Sequence, residues 1–349
     1  MLMGLGLAGL AAVGSCWLTG RLSRNQSFGA VDYPSGRSLH AMPTPRTGGI
    51  AIMVALSTVV VIGLSLTWLV DRPELRRNGS LGIVLLATGV LAGHSYKSDL
   101  RESPALVRLG LQVALGTLVV WCTRLTVDAV RVPGWETLSL GQAAFPLTVL
   151  GLLWTTNLYN FMDGMDGFAG GMTVVGFSAL AAFSFYRGEH AIGWLALFVV
   201  GSSAGFLVHN YPPARIFLGD VGSVSLGFLA GCLSLLGIRD GLFDFWVPIL
   251  IFSPFIVDAT ITLIRRFLRG ERVWRPHREH YYQRLVLAGW GHERTVLAEY
   301  ALMVASVVVA VAYAVASEAT QLCLLALWSL MYCCFMCGVR KLEIGRSRR

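Results

Sequence analysis

An all-α protein that crosses a membrane many times is the fold class this sequence predicts. Three observations carry the prediction. Of the 349 residues, 55% are hydrophobic and only 14% are charged, whereas a soluble domain carries roughly 25% charged residues. Mean hydropathy is +0.63. Apolar runs of about 17–25 residues, the length of a bilayer-spanning helix, recur along the whole chain. The polar gaps between them reach only roughly 25–30 residues, too few to bury a core of their own. Residues 1–349 therefore read as a single integral membrane domain.

About eleven transmembrane helices follow in order. The first, 2–20, has its positive residues Arg21 and Arg24 after the apolar run. It reads as a retained helix with the N-terminus outside, because a cleaved signal peptide carries its basic region first. Helices are expected next at 48–70, 80–97 and 105–122. The stretch "TVDAVRVPGWETLSL" (126–140) then alternates apolar and polar residues around Pro133-Gly134. It predicts a short outward β-hairpin near 124–142. Further helices are expected at 144–159, 168–186, 191–209, 221–238, 245–267, 295–316 and 319–338. An odd number of spans puts the C-terminus in the cytoplasm. About three-quarters of the 28 lysines and arginines then fall inside, as the positive-inside rule requires. The loop "DRPELRRNG" (71–79) is the exception, basic yet placed outside.

The net charge of +8 would suggest nucleic acid in a soluble protein. Here the basic residues flank helices, so topology accounts for them and no nucleic-acid partner is expected. The seven cysteines all fall in or beside apolar runs. Cys334 and Cys337 have CxxC spacing, but they lie in an apolar helix with no second pair, so they read as small apolar residues.

Five polar clusters interrupt this apolar pattern, and all five fall on the inward side, in loops 21–47, 97–104, 157–167, 210–220 and 268–294. Random breaks would divide between the two sides, so their co-location predicts one cytoplasmic site. Ionisable groups at membrane depth are functional candidates by default. In "DYPSGRSLHAMPTPRTGGIAI" (32–52), Arg37, His40 and Arg46 precede a Gly-Gly that opens a helix. Guanidinium groups there suit a phosphate, or they anchor the loop to the inner leaflet. In "SYKSDLRESPALVRL" (95–109), Asp99 follows the third span. Taken by itself it reads as a solvated loop carboxylate rather than a site residue. Asn157, Asn160, Asp163 and Asp166 recur at every third position and are neighbours on a helix or aligned in a 3₁₀ turn. They suit a hard cation or sugar hydroxyls, and their spacing does not match an EF-hand. In "NYPPARIFLGDVGSVSLG" (210–227), Asp220 stands at the start of a helix. It is either a cap or a Mg²⁺ ligand, since Mg²⁺ takes one or two carboxylates plus substrate phosphates. "LRGERVWRPHREHYYQRL" (268–285) offers His277, Arg278 and His280 to a diphosphate, or its charges to lipid headgroups. Asp258, inside the ninth span, reads as a structural partner.

Taken in order, "RSLHAMPTPRTGGIAI", "SDLRESPALVRL", "NLYNFMDGMDGFAGG", "PPARIFLGDVGSVSLGF" and "PFIVDATITLIRRFLRGERVWRPHREHYYQRL" resemble the bacterial polyprenyl-phosphate N-acetylhexosamine-1-phosphate transferases, glycosyltransferase family 4. The resemblance spans residues 32 to 285. It implies transfer of N-acetylhexosamine-1-phosphate from a UDP-N-acetylhexosamine to undecaprenyl phosphate, releasing UMP. It also implies a requirement for Mg²⁺, with Mn²⁺ as the alternative, and an inner-membrane location. Homodimer formation is left open. "HREHYYQRL" looks more like the O-antigen branch than the muramyl-pentapeptide branch, for which a His triplet is expected. By position, the resemblance assigns metal binding to Asp220 and Asp163. It assigns catalysis to Asp99, Asp163, Asp166 and His277, and substrate binding to Arg37, His40, Arg46, Asn157, Asn160, Arg278 and His280.

One departure stands out. The family usually carries paired aspartates after the third span, and here the first position is Ser98. A hydroxyl cannot serve as a carboxylate base and is a poorer Mg²⁺ ligand. A transferase with reduced activity and a degenerate relative that binds without turnover are therefore both on the table. A transporter using its intramembrane acids would show an inverted repeat, and none is visible.

Overall fold

The computed structural model describes residues 1–24, 30–34, 39–40, 42–69, 79–101, 103–273 and 277–347. Arg37 and most of the loop 71–79 lie outside the described residues. In chain order the structure forms α1 (Leu2–Arg24), β1 (Val31–Asp32), β2 (Thr44–Pro45), α2 (Gly48–Leu69), α3 (Gly79–Arg101) and α4 (Ala105–Thr123). Then come β3 (Ala129–Val130), β4 (Leu138–Ser139), α5 (Ala144–Phe161), α6 (Phe168–Tyr186), α7 (His190–Asn210) and α8 (Gly219–Arg239). The chain ends in α9 (Trp246–Ile251), α10 (Ser253–Leu268), α11 (Tyr281–Leu285), α12 (Gly291–Val315) and α13 (Glu318–Ser347). Among the described residues, nine helices are long and apolar enough to cross a membrane. The protein is an all-α, multi-pass membrane protein.

The helices pack around α8, whose apolar span is the most enclosed of the nine. α3 and α5 lie along it, α2 crosses its start, and α1 and α6 flank α7. With lipid outside as apolar as the core, such packing rests on close backbone approach through small residues. Gly49 and Gly222 make the tightest approach near the site. A Cβ on Gly49 would lie 2.1 Å from the Gly222 nitrogen and 2.8 Å from the Leu218 carbonyl oxygen. That proximity lets the Gly48 and Gly49 N–H groups donate to Phe217 and Leu218 carbonyls at 2.9 and 2.8 Å.

Two features differ from the sequence expectation. The ninth span, expected as one helix over 245–267, is broken at Phe252, so α9 and α10 are separate. Pro254 sits at the start of α10, where a missing N–H costs nothing within a new helix but would interrupt a continuous one. A second small ladder also forms, pairing Val31 with Pro45 and Asp32 with Thr44. The expected hairpin is present, with Ala129 opposite Ser139 and Val130 opposite Leu138.

The Gly49–Gly222 contact yields a stability prediction. Gly49→Ala pushes α2 off backbone atoms that cannot rotate away, costing on the order of 1–3 kcal/mol. Gly110→Ala, where a Cβ meets nothing within 4 Å, leaves stability unchanged. Melting of the two purified variants by intrinsic fluorescence separates them. Equal melting temperatures would remove this contact from the account of the fold.

Candidate active site

The loops that the sequence placed on one side converge where α8 begins. Gly219 adopts φ +70, a conformation that L side chains rarely take, and a Cβ there would lie 2.3 Å from the Arg46 carbonyl oxygen. This turn aims the next two N–H groups at the end of α3. Asp220 N and Val221 N donate to Asp99 Oδ1 and Oδ2, each at 3.4 Å. Asp99 is thereby seated on the positive end of α8. Its carboxylate also faces Arg46 Nη2 at 3.8 Å.

Asp220 is the hub. Arg108 Nη1 donates to its Oδ2 at 2.8 Å, Arg46 Nη2 lies 3.5 Å from its Oδ1, and Asn160 Nδ2 donates to Oδ1 at 3.0 Å. Asn160 also donates to Ser223 Oγ at 2.9 Å, which fixes its amide against α8. Asp163 completes the group. Burial pushes its carboxyl well above the ordinary carboxylate range; Arg46 opposes this, while Asp220, Asp99 and the loss of solvent act together. Five elements thus supply one cluster of two guanidinium groups, three carboxyls and an amide.

The four residues at every third position do not share a face. α5 ends at Phe161, and Gly167, with φ 74, starts α6, so the intervening turn separates them. Asn157 donates to Gln112 Oε1 at 2.8 Å, one helix turn before the cluster. Asp166 turns the other way. It accepts from Ala214 N at 3.0 Å and meets His292 Nδ1 at 3.2 Å, and His292 Nε2 reaches the Leu39 carbonyl at 3.3 Å. Gly167 is held by Asn210 Oδ1 at 3.0 Å and by the Tyr300 hydroxyl at 2.8 Å. Asp166 therefore ties the turn to α12 and to the loop ahead of α2. His40 packs edge-on against Phe217 at 4.9 Å, with Asp32 3.8 Å from its Nε2.

The fifth cluster borders the other four through Phe161, whose ring stacks on His280 at 6.4 Å and whose carbonyl accepts from the Tyr282 hydroxyl at 3.2 Å. Its anchor is Asp258. That buried carboxylate accepts from Tyr281 N at 2.9 Å and Tyr282 N at 3.1 Å, and meets His280 Nδ1 at 3.2 Å. His280 is 3% exposed, so its Nδ1 face is committed to Asp258. His277 lies beside it, ring centres 4.7 Å apart. Arg278 lines a cavity with Arg265, Arg284 and Glu343 whose walls include none of the Asp220 cluster. Arg108 and Gln112 were not singled out from the sequence as site residues. Arg108 and Gln112 are four apart in an otherwise apolar helix, a polar stripe that marks them.

The donor set is all hard oxygen, which suits Mg²⁺. Among the described residues, no group of three or more His, Cys, Asp or Glu is arranged to hold a metal ion. Asp220 and Asp163 are the carboxylates that would hold the ion, with a substrate phosphate completing the shell. That fits the usual habit of Mg²⁺.

Residues 81–238 match glycosyl transferase family 4. The chain is 35% identical over 276 residues to the probable undecaprenyl-phosphate N-acetylglucosaminyl 1-phosphate transferase of Bacillus subtilis (strain 168), covering 78% of this chain and 74% of that one. It is 31% identical over 327 residues to the decaprenyl-phosphate N-acetylglucosaminephosphotransferase of Mycobacterium tuberculosis (strain CDC 1551 / Oshkosh), covering 85% and 79%. It is also 30% identical over 276 residues to the phospho-N-acetylmuramoyl-pentapeptide-transferase of Moorella thermoacetica (strain ATCC 39073 / JCM 9320), covering 75% and 81%.

His277 gives a pH prediction. Burial, with His280 and Arg266 adding to it, lowers its imidazole from 6.5 to about 4. Below pH 6.5 the unfolded chain takes up a proton at this position that the folded protein refuses. Stability is therefore lost as pH falls from 6.5 towards about 4. His277→Gln flattens that part of the melting-temperature profile. An unchanged slope would mean that His277 is protonated in the folded protein as readily as in the unfolded chain.

Proposed function

The chain belongs to glycosyl transferase family 4 and is a phosphoglycosyl transferase acting on polyprenyl phosphate; from that premise we propose a specific reaction. It moves N-acetylhexosamine-1-phosphate from a UDP-N-acetylhexosamine to undecaprenyl phosphate, at the cytoplasmic face of a bacterial inner membrane. The N-terminus lies outside and eleven spans bring the C-terminus to the cytoplasm. The step initiates a cell-envelope polysaccharide of the O-antigen kind. The absence of a His triplet in "HREHYYQRL" supports that branch.

The observation that carries the reading is the convergence of Arg46, Asp99, Arg108, Asn160, Asp163 and Asp220 at the start of α8. In the proposed step an oxygen of the lipid phosphate attacks the sugar-bearing phosphorus of the donor. A new P–O bond forms, the bond to the uridylyl phosphate breaks, and UMP leaves with the electron pair. A phosphate monoester has a second pKa near 6, so the nucleophile is mostly dianionic at neutral pH and needs little help from a base. Positioning and charge compensation then supply the rate. Arg46 and Arg108 would move from Asp220 onto phosphate oxygens, where their forked N–H groups bind in pairs. Asp99, held on the α8 N–H groups, would orient the lipid phosphate. Asn160 would keep Asp220 in register while its arginines exchange partners. Mg²⁺, held by Asp220 with Asp163, would neutralise charge across the donor diphosphate. His277 would reach a substrate phosphate from the loop pinned by Asp258.

UMP release from UDP-N-acetylglucosamine with undecaprenyl phosphate tests the reading. Wild type turns over with Mg²⁺, stops with chelator and recovers when Mg²⁺ returns. Asp220→Asn lowers kcat on the order of a hundredfold or more. Ser98→Asp raises the rate without being required for it. A wild type that is silent on a panel of UDP-sugars, with Ser98→Asp active, would instead make this protein a binder that has lost turnover.

A further inference from the structure

A second charged cavity lies where the end of α10, the loop before α11, α11 itself and the last turns of α13 meet. Its volume is about 640 Å³, and Arg265, Arg278, Glu279, Arg284, Leu287, Ala288 and Glu343 line it. Three cations face two acids, but both acids are already engaged. Glu343 takes Arg284 in a paired contact, Nε at 2.6 Å and Nη2 at 2.5 Å. Glu279 is taken by Arg269 and by Arg266 Nε at 3.5 Å. Among the described residues, neither Arg265 nor Arg278 forms an ion pair. Arg265 donates to the neutral Tyr281 hydroxyl at 3.1 Å. Arg284 stacks over the Tyr281 ring at 4.6 Å. Its Nη1 is buried with no hydrogen-bond acceptor among the described residues. Two guanidinium groups, Arg265 and Arg278, thus face the cavity with no carboxylate within 4 Å among the described residues, a lining that suits an anion.

The height of the cavity indicates which anion. α13 has 30 residues, about 45 Å of helix against a hydrocarbon core of about 30 Å. Its last turns, with Arg340, Lys341 and Glu343, therefore project to headgroup level. α10 ends there too, in Arg265 and Arg266. One wall is apolar, with Leu287 and Ala288 beside the arginines. Basic pockets between helices on the cytoplasmic side suit phosphate-bearing lipid headgroups.

We propose that this cavity binds the phosphate of an anionic phospholipid from the inner leaflet, through Arg265 and Arg278, with Arg284 held beside them by Glu343. Occupancy would hold the loop that carries His277 and His280 from its outer side, since Arg278 and Glu279 stand between the two histidines in sequence. The inference rests on the proposed topology but not on the transfer chemistry, and its readout is lipid retention rather than turnover.

The full-length protein, reconstituted in phosphatidylcholine with and without phosphatidylglycerol, is released into detergent and its retained lipids are counted by native mass spectrometry. Wild type retains phosphatidylglycerol over phosphatidylcholine. Arg278→Ala, an exposed position, reduces that preference about fivefold, and Arg265→Gln does the same, as about 1 kcal/mol per arginine implies. Arg187→Ala, which removes an equal exposed charge after α6, leaves it intact. Equal loss in all three variants, or no preference in wild type, overturns the proposal. So does displacement of the lipid by inorganic phosphate at matched ionic strength, which would assign the cavity to a soluble phosphate.

Discussion

Everything at the candidate active site depends on how one carboxylate, Asp220, is shared. It sits at the first turn of the most enclosed helix, where an isolated charge could not remain ionised at tolerable cost. Arg108 and Arg46 compensate it, Asn160 saturates the same oxygen that Arg46 faces, and Asp99 is drawn in by the N–H groups beside it. These partners come from three different helices and from the segment that leads into α2. The backbone must therefore bring α2, α3, α4 and α5 to within side-chain reach of α8. The Gly49–Gly222 contact and the left-handed turn at Gly219 make that approach sterically accessible. The packing and the chemistry are in this sense one requirement.

The fold was legible because the bilayer reduces structure to run length. Each apolar stretch bounded by charge or glycine becomes a helix, and the positions of the turns follow from where polarity returns. The same argument misread the ninth span. By hydropathy alone, 245–267 is continuous, and a proline near the middle of an apolar run can kink a helix as well as break it. Pro254 permits the break at Phe252, and contacts from a distant helix hold the residue beside it. Ser253 is held by the Tyr332 hydroxyl at 2.9 Å and by Trp328 Nε1 at 3.0 Å, both from α13. A residue 75 positions away leaves no local signature. The β1–β2 ladder was invisible for a related reason, since two-residue strands carry no periodicity.

The site was legible as a neighbourhood and less so as a set of roles. Co-location of the polar loops on one side identified Arg46, Asp99, Asn160, Asp163 and Asp220, and the structure gathers these. Helical spacing suggested that Asp163 and Asp166 act together, yet the Gly167 turn sends them to different partners. His280 and Arg278 are two residues apart in one basic loop, yet one is buried against Asp258 and the other lines the arginine cavity. In loops, side-chain direction is set by the partner that claims each residue. Here that partner is distant, as Asp258 is to His280. Arg108 was passed over because it looked like a topology signal, an arginine just inside a membrane helix.

The departure at Ser98 is consistent with the charge balance of this cluster. Arg46 and Arg108 match Asp99 and Asp220, and burial drives Asp163 towards its neutral form. The pocket without metal is then close to neutral. Ser98 is itself buried, and a carboxylate there would add a charge with both arginines already shared. A divalent cation together with a donor diphosphate changes the balance. In the proposed reaction the diphosphate would draw the arginines away, and the cation would favour the ionised form of Asp163. A second aspartate beside Asp99 would strengthen the hold on the cation at the expense of the empty pocket. A serine lets the arginines and Asp163 keep the pocket neutral, and would leave the affinity for the proposed metal more dependent on the diphosphate that arrives with it.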